Sequence, residues 1–321
     1  MKLSLTLSPS PHVHSRSSTA VLMRDVCIAL VPALVWAIVQ FGWRCLRTTV
    51  FSAAACVVLE WAYRRVMKKD CTIGDWSAVV TGVLLAFVCP ADIPYWMLLA
   101  GDAFAVVLVK QLFGGIGMNI VNPALAARAF LMFGWPTRMS GAVYGLPDAM
   151  SAATPMQALH GSGLPADVSL LDAFLGRVGG CIGEISVLML LLGGAYLVVR
   201  RVITLRIPLA YLATVAVLAF VFPRGNDRLV WTAWQLCSGG LLLGAVFMAT
   251  DYTTSPVTHG GQIAFGIGCG AVTILIRYFG SYVEGVSFAI LVMNCCVGFF
   301  DKLGLPKRFG LQRVKKGGDA S

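Results

Sequence analysis

The chain has 321 residues, of which 58% are hydrophobic and only 12% charged, with a mean hydropathy of +0.79. Soluble domains carry about 25% charged residues, so this chain lacks the polar surface to coat a water-soluble globule, and lipid is the solvent for most of its length. The net charge of +10 would suggest nucleic acid, but the cations gather at the ends of apolar runs, where they act as headgroup anchors.

Residues 1–19 form a polar, Ser-rich tail without an apolar run of the signal-peptide kind, so the first apolar run is expected to be an uncleaved span. His12 and His14 read as solvated tail residues. Ten apolar runs follow, at 20–41, 48–66, 76–89, 93–113, 121–135, 182–199, 205–222, 229–249, 261–279 and 286–300. A helix needs about 20 residues to cross about 30 Å of hydrocarbon. The third and fifth runs are short, and are expected to be tilted, broken or re-entrant with their irregular backbone buried in protein.

With the N-terminus in the cytoplasm, 17 Lys and Arg fall inside and 7 outside, and Arg128 lies within a span. That imbalance predicts the orientation, with both termini cytoplasmic. The expected organisation is a cytoplasmic tail (1–19), a first half of five spans (20–135), an outer loop (136–182), a second half of five spans (183–300) and a basic cytoplasmic tail (301–321). The outer loop is the only long polar stretch between spans, and long loops in compact proteins tend to carry function.

Charges within or at the ends of spans cost about 2.5–3.5 kcal/mol or more if they face lipid. Glu60, Asp102 and Arg128 are the clearest cases, and Lys110 follows Asp102 by eight residues, about two helical turns. Such groups line an ion path or a cofactor, or they tie helices together as salt bridges; the second fate is the commoner. The ten cysteines are scattered without a C-x-x-C, a pattern expected of small buried apolar residues rather than of metal or cluster ligands. Gly114, Gly115 and Gly117, and again Gly266, Gly268 and Gly270, follow no strand, so they lack the setting of a dinucleotide loop. Both sets read as helix-packing positions. The segments 113–122 and 250–261 resemble each other, with Asn122-Pro123 and Ser255-Pro256 each ahead of a Gly/Ala-rich span, 133 residues apart. Two related halves would produce this; so would a proline simply starting each helix.

Several motifs occur in a fixed order: Ser10-Pro11-His12, the stretch 110–119 (KQLFGGIGMN), Asn122-Pro123-Ala124, Ser151-Ala152-Ala153-Thr154, the stretch 248–256 (MATDYTTSP) and the stretch 289–294 (AILVMN). Together, from about residue 10 to 305, they resemble the family of the D subunit of the Rnf electron-transport complex, to which the B subunit of the sodium-translocating NADH:quinone reductase is related. The resemblance implies an all-α, urea-transporter-like fold of about ten transmembrane helices. It also implies FMN held by a phosphoester on the last Thr of a Ser/Thr-Gly-Ala-Thr motif. That residue is Thr154 in Ser151-Ala152-Ala153-Thr154-Pro155, with Ala152 where Gly is commonest. A flavin transferase using FAD would install it.

A second, noncovalent flavin such as riboflavin is expected, if present, near the inner segments. Asn119, Asn122, Asp251, Thr253 and Thr254, together with Asp102 and Arg128, are the candidate flavin or ion-path residues. The implied role is a membrane electron relay in the bacterial inner membrane, with no metal and no catalysis by the chain alone. The implied partners are the other membrane and peripheral subunits of the Rnf complex, which would couple electron transfer between ferredoxin and NAD+ to movement of Na+ or H+. A channel or transporter of the same fold would explain the spans equally well, but not the Ser-Ala-Ala-Thr motif.

Overall fold

A computed structural model describes residues 18–139, 155–160, 169–225, 227–280, 282 and 284–303, and among these every regular element is helical. Three helices are long and apolar enough to cross a membrane: α1 (Thr19–Phe41), α2 (Arg44–Val66) and α13 (His259–Phe279). The remaining elements are shorter. They are α3 (Ser77–Phe87), α4 (Tyr95–Ala103), α5 (Pro123–Gly134), α6 (Pro136–Met139), α7 (Pro155–His160), α8 (Leu170–Leu175), α9 (Val187–Val199), α10 (Arg206–Val221), α11 (Arg228–Cys237), α12 (Leu241–Leu243), α14 (Val286–Cys295) and α15 (Val297–Leu303). Residues such as Val31, Val35 and Val39 on α1 and Ile263, Ile267 and Leu275 on α13 stay exposed. Apolar faces of that extent suit lipid and not water; the chain is a multi-pass membrane protein.

Several expected spans are not continuous α-helices. The fourth runs as α4 and then as a π-helix over Phe104–Gln111, and the eighth breaks at 238–240, where α11 and Leu241–Met248 meet at 60°. The segment after α12, Gly244–Met248, is again a π-helix. Each π-helix leads into one of the two similar segments, 113–122 and 250–261.

Broken helices in hydrocarbon expose backbone groups that must be satisfied within the protein. The end of α3 is closed by its neighbour: Gly183 N–H donates to Phe87 O at 2.8 Å and Ile182 N–H to Cys89 O at 3.2 Å. The break at 238–240 is closed by Arg277 of α13, which donates to Gln235 O (2.7 Å), Ser238 O (2.9 Å) and Gly239 O (3.4 Å).

Local capping explains where several helices begin. Asn122 caps α5, accepting from the Ala124 and Leu125 N–H groups, with Pro123 in the first turn. Pro256 lies ahead of α13, but Thr258 is its cap, accepting from Gly261 N–H. The two prolines are therefore not placed alike at the starts of their helices.

The later glycines pack helices, as expected. A Cβ at Gly266 would sit 2.8 Å from Ala210 Cβ, and one at Gly270 2.7 Å from Thr214 Cβ, both on α10. The earlier set differs. Gly114, Gly115 and Gly117 have φ of 120°, 100° and 88°, so they form a turn that residues with side chains would strain. Gly115 also leaves room for the Arg64 guanidinium, 2.7 Å from where its Cβ would be. Of the cysteines, Cys45, Cys56, Cys89, Cys181 and Cys269 are buried, whereas Cys71, Cys295 and Cys296 are exposed.

Candidate functional site

Ser151, Ala152, Ala153 and Thr154 lie outside the described residues. Pro155 opens α7 and is buried, and with Met156 it borders a pocket whose other walls include Glu184, Ser238, Gly239 and Glu284. Arg128 of α5 donates to Glu284, and its guanidinium lies 3.9 Å from Cys181 Sγ. Glu184 Oε1 accepts from Cys181 N–H at 2.9 Å. The Cys181 sulfur and a carboxylate oxygen of each glutamate lie within 4.8 Å of one another. Glu184 Oε2 and Ser238 Oγ are buried without a hydrogen-bond partner among the described residues. Neither glutamate figures among the sequence-predicted site residues. The available signal is their position, each within three residues of the start of an apolar run, where a carboxylate needs a partner.

Glu60 and Lys110 form an interhelical ion pair, the commoner of the two fates expected of such charges. Lys110 does not meet Asp102. It donates to Glu60 of α2 at 2.7 Å and to Ser77 Oγ at 2.7 Å. Glu60 also accepts from Thr72 Oγ1 at 2.9 Å and lies 3.7 Å from Arg64 Nε. Asp102 is wholly buried and accepts from Ser52 Oγ (2.6 Å) and Cys56 Sγ (3.3 Å).

At the other end of the bundle, the two similar segments meet. Asn119 Nδ2 donates to Thr253 Oγ1 at 3.0 Å, and Asn122 Nδ2 to Met248 O at 3.4 Å. Thr253 and Thr254 donate to Asp251 Oδ2 at 3.1 and 3.3 Å. Asn294 joins them when its amide is oriented to donate to Thr254 O (3.0 Å) and to accept from Asn122 N–H (3.1 Å). Burial pushes the Asp251 carboxyl above its usual range, and the hydrogen bonds from Thr253, Thr254 and Tyr252 oppose the shift.

These residues border a cavity that is partly open to solvent. Asn119, Asn122, Asp251 and Thr253 line it with Ser77, Thr81 and Lys110, against apolar walls that include Leu84, Leu197, Val246 and Phe247. Small-molecule sites are typically lined in this way, by apolar side chains with a few polar groups among them. Of the predicted residues, Asn119, Asn122, Asp251, Thr253 and Thr254 come together here; Asp102 and Arg128 do not.

The model of the NQR2, RnfD, RnfE family matches residues 6–310. Three relatives are similar over nearly their whole length, each the D subunit of an ion-translocating complex. That of the Na(+)-translocating ferredoxin:NAD(+) oxidoreductase complex of Acetobacterium woodii is 45% identical over 318 residues, covering 98% of each chain. That of the proton-translocating ferredoxin:NAD(+) oxidoreductase complex of Clostridium ljungdahlii is 39% identical, covering 96% of this chain and 97% of the relative. That of the ion-translocating oxidoreductase complex of Stutzerimonas stutzeri is 36% identical, covering 92% and 93%. The chain belongs to the NQR2, RnfD, RnfE family.

Proposed function

We propose that this chain is the D subunit of an Rnf-type complex, a membrane relay that carries FMN as a phosphoester on Thr154. The complex would move electrons between ferredoxin and NAD+ and couple this to Na+ or H+ translocation across the bacterial inner membrane. The observation that carries the reading is the full-length likeness to relatives named as the D subunits of ferredoxin:NAD(+) oxidoreductase complexes. The attachment reading is supported by the Ser151-Ala152-Ala153-Thr154 motif and by the buried Pro155 that follows it. When bound, the flavin supplies one- and two-electron transfer. The chain would supply a hydroxyl at Thr154 and a buried neighbour at Pro155.

A second, noncovalent flavin such as riboflavin would be held at the cavity beside Asn119, Asn122, Asp251 and Thr253, whose mixed apolar and polar lining supports the reading. Its apolar walls would take the ring system, and the amides and hydroxyls would take a polar chain.

The proposed frame is ten crossings of urea-transporter-like topology in two related halves, with residues 136–182 outside and both termini inside. Contacts between segment ends support it. Arg44–Asp92, Arg224–Tyr278 O and His160–Gly280 O each join two ends that the charge count puts outside. Asp25–Arg200, Asn119–Thr253, Tyr252–Val202 O and Asp301–Val257 N–H each join two inner ends. One crossing too many or too few between any such pair would put its members on opposite faces. The π-helix ahead of each inner segment supports the two halves.

The test is a denaturing gel viewed under ultraviolet light, with the chain produced alongside a flavin transferase. The wild-type band should fluoresce and the Thr154→Ala band should not; equal fluorescence in both would refute the attachment.

A further inference from the structure

We propose that α2 carries a proton path, with Asp102 as the site midway along it where a proton is loaded and released. The inference rests on the Rnf-type reading only for what drives the proton; the proton site itself stands on the side chains.

The path is a polar seam along α2. Thr48, Ser52, Cys56, Glu60 and Arg64 fall at every fourth position, so they share one helix face, and all five are buried. A crossing helix commonly turns apolar or small side chains to its neighbours, whereas each of these groups gives or takes a hydrogen bond. From Thr48 to Arg64 the seam rises about 24 Å, most of the about 30 Å of hydrocarbon. At one end Glu60 accepts from Lys110, which also donates to Ser77 Oγ, and Lys110 and Ser77 both line the cavity shared with Asn119 and Asp251. At the other end Thr48 borders a second pocket with Arg44, Asp92 and Tyr95.

Asp102 meets the seam at its middle. Its Oδ1 stands 2.6 Å from Ser52 Oγ and 3.3 Å from Cys56 Sγ, while Oδ2 is buried without a hydrogen-bond partner. No cation pairs with it among the described residues. On the elements around it, Glu60 of α2 and Lys110 of the π-helix neutralise each other, and Arg128 of α5 is paired with Glu284. The α3 helix carries no ionisable side chain, α4 adds only Tyr95, and the thiols of Cys56 and Cys89 are the other titratable groups near it. A bare carboxylate in such a place is very costly, and a carboxylic acid avoids that cost.

A hydrogen count supports the loaded state. Ser52 Oγ is also 2.9 Å from Gly82 O, and one hydroxyl hydrogen cannot serve two acceptors. With a proton on Asp102, the acid donates to Ser52 Oγ and Ser52 donates on to Gly82 O. When the proton leaves, the Ser52 hydroxyl turns to the carboxylate, which also accepts from Cys56. The exchange moves only hydrogens. It also favours a proton over a metal cation. A Cβ at Gly82 would lie 2.7 Å from Ala53 Cα and from Ser52 O, so α2 and α3 close against each other and leave no space for an ion between these oxygens.

The experiment uses the full chain and its membrane complex, with two variants. Asp102→Asn keeps the shape of the acid without its exchangeable proton, and Ser52→Ala removes the partner. In infrared spectra of the purified chain, wild type should show the C=O stretch of a protonated carboxylic acid, shifted in heavy water. That band should vanish in Asp102→Asn and move to higher frequency in Ser52→Ala; if Asp102→Asn does not fold, the Ser52→Ala shift decides. In inverted membrane vesicles supplied with reduced ferredoxin and NAD+, dye-reported proton uptake per NAD+ reduced should fall several-fold in Asp102→Asn. The same carboxylic-acid band in wild type and both variants would overturn the site. Unchanged proton uptake, or wild-type vesicles that take up sodium and no protons, would overturn the path. Wild-type vesicles that pass no electrons from ferredoxin to NAD+ would instead sink the Rnf-type reading, and the infrared arm alone would then decide the site.

Discussion

The ion pair between Glu60 and Lys110 offers a direct test of how the buried charges are held. Both side chains are almost fully buried, at 1% and 3% exposed, with 2.7 Å between Nζ and Oε2. Removing one partner of such a pair costs about 3–5 kcal/mol, because an uncompensated charge stays behind. The two single variants should not cost the same. After Lys110→Met, Glu60 keeps Thr72 Oγ1 at 2.9 Å and Arg64 Nε at 3.7 Å, so the loss should fall near the low end, about 3 kcal/mol. After Glu60→Leu, Lys110 keeps, among the described residues, the Ser77 hydroxyl at 2.7 Å, and the loss should approach about 5 kcal/mol. The double variant leaves no lone charge at this pair. It should lie closer to wild type than the sum of the singles by about 3 kcal/mol, the upper range for directly contacting residues. Arg64 keeps its bond to Asp70 O at 2.7 Å throughout, which limits collateral loss. The assay is reversible unfolding in mixed micelles by dodecyl sulfate titration. Additive losses would refute the pairing, and equal single-variant losses would refute the argument from residual partners.

Four further outcomes follow from the same geometry. Asp301 Oδ1 accepts from the Val257 and Thr258 N–H groups at 2.8 and 3.3 Å, so Asp301→Ala should cost about 0.5–2 kcal/mol, as the loss of a cap does, and should raise protease cleavage between residues 250 and 258. Asn122→Ala removes the α5 cap and the tie to Met248 O; a loss of about 1 kcal/mol or more should come with reduced retention of any noncovalent flavin, measured by extraction of purified protein. Gly270→Leu places side-chain atoms against Thr214 Cβ and Tyr211 O, at 2.7 and 2.9 Å from the ideal Cβ, and should lower the yield of folded protein on size-exclusion chromatography while Gly74→Ala, with open space around it, does not. Asp251 is held above its usual range by burial, so the folded chain takes up a proton relative to the unfolded one. Stability should therefore fall as pH rises from the ordinary carboxylate range through the raised value, and Asp251→Asn should flatten that slope.

The positions of the crossings are legible because hydropathy is a property of composition, and a run of apolar residues reads the same whether its helix is straight or bent. The breaks are not legible for the same reason. Nothing in the composition of Phe104–Gln111 or Gly244–Met248 distinguishes a π-helix from an α-helix. Across the change from α4 to the π-helix, Asp102 and Lys110 nevertheless both reach α2, at Ser52 and at Glu60. Glycine is ambiguous in a related way. Gly114, Gly115 and Gly117 serve positive φ, whereas Gly266 and Gly270 serve close packing, and only the backbone angle or the neighbouring helix separates the two uses. The cavity residues can be found because the two similar segments point to each other, and Asn119 and Thr253 are indeed hydrogen-bonded across 134 residues of chain. Arg277 is the instructive omission. The charge count puts it among the outer-end cations, yet it is 1% exposed and its carbonyl partners lie 38–42 residues upstream. A cation near the end of an apolar run must either reach the interface or find acceptors inside, and the Ser-Gly-Gly at 238–240 is a place where a helix would leave carbonyls to be taken.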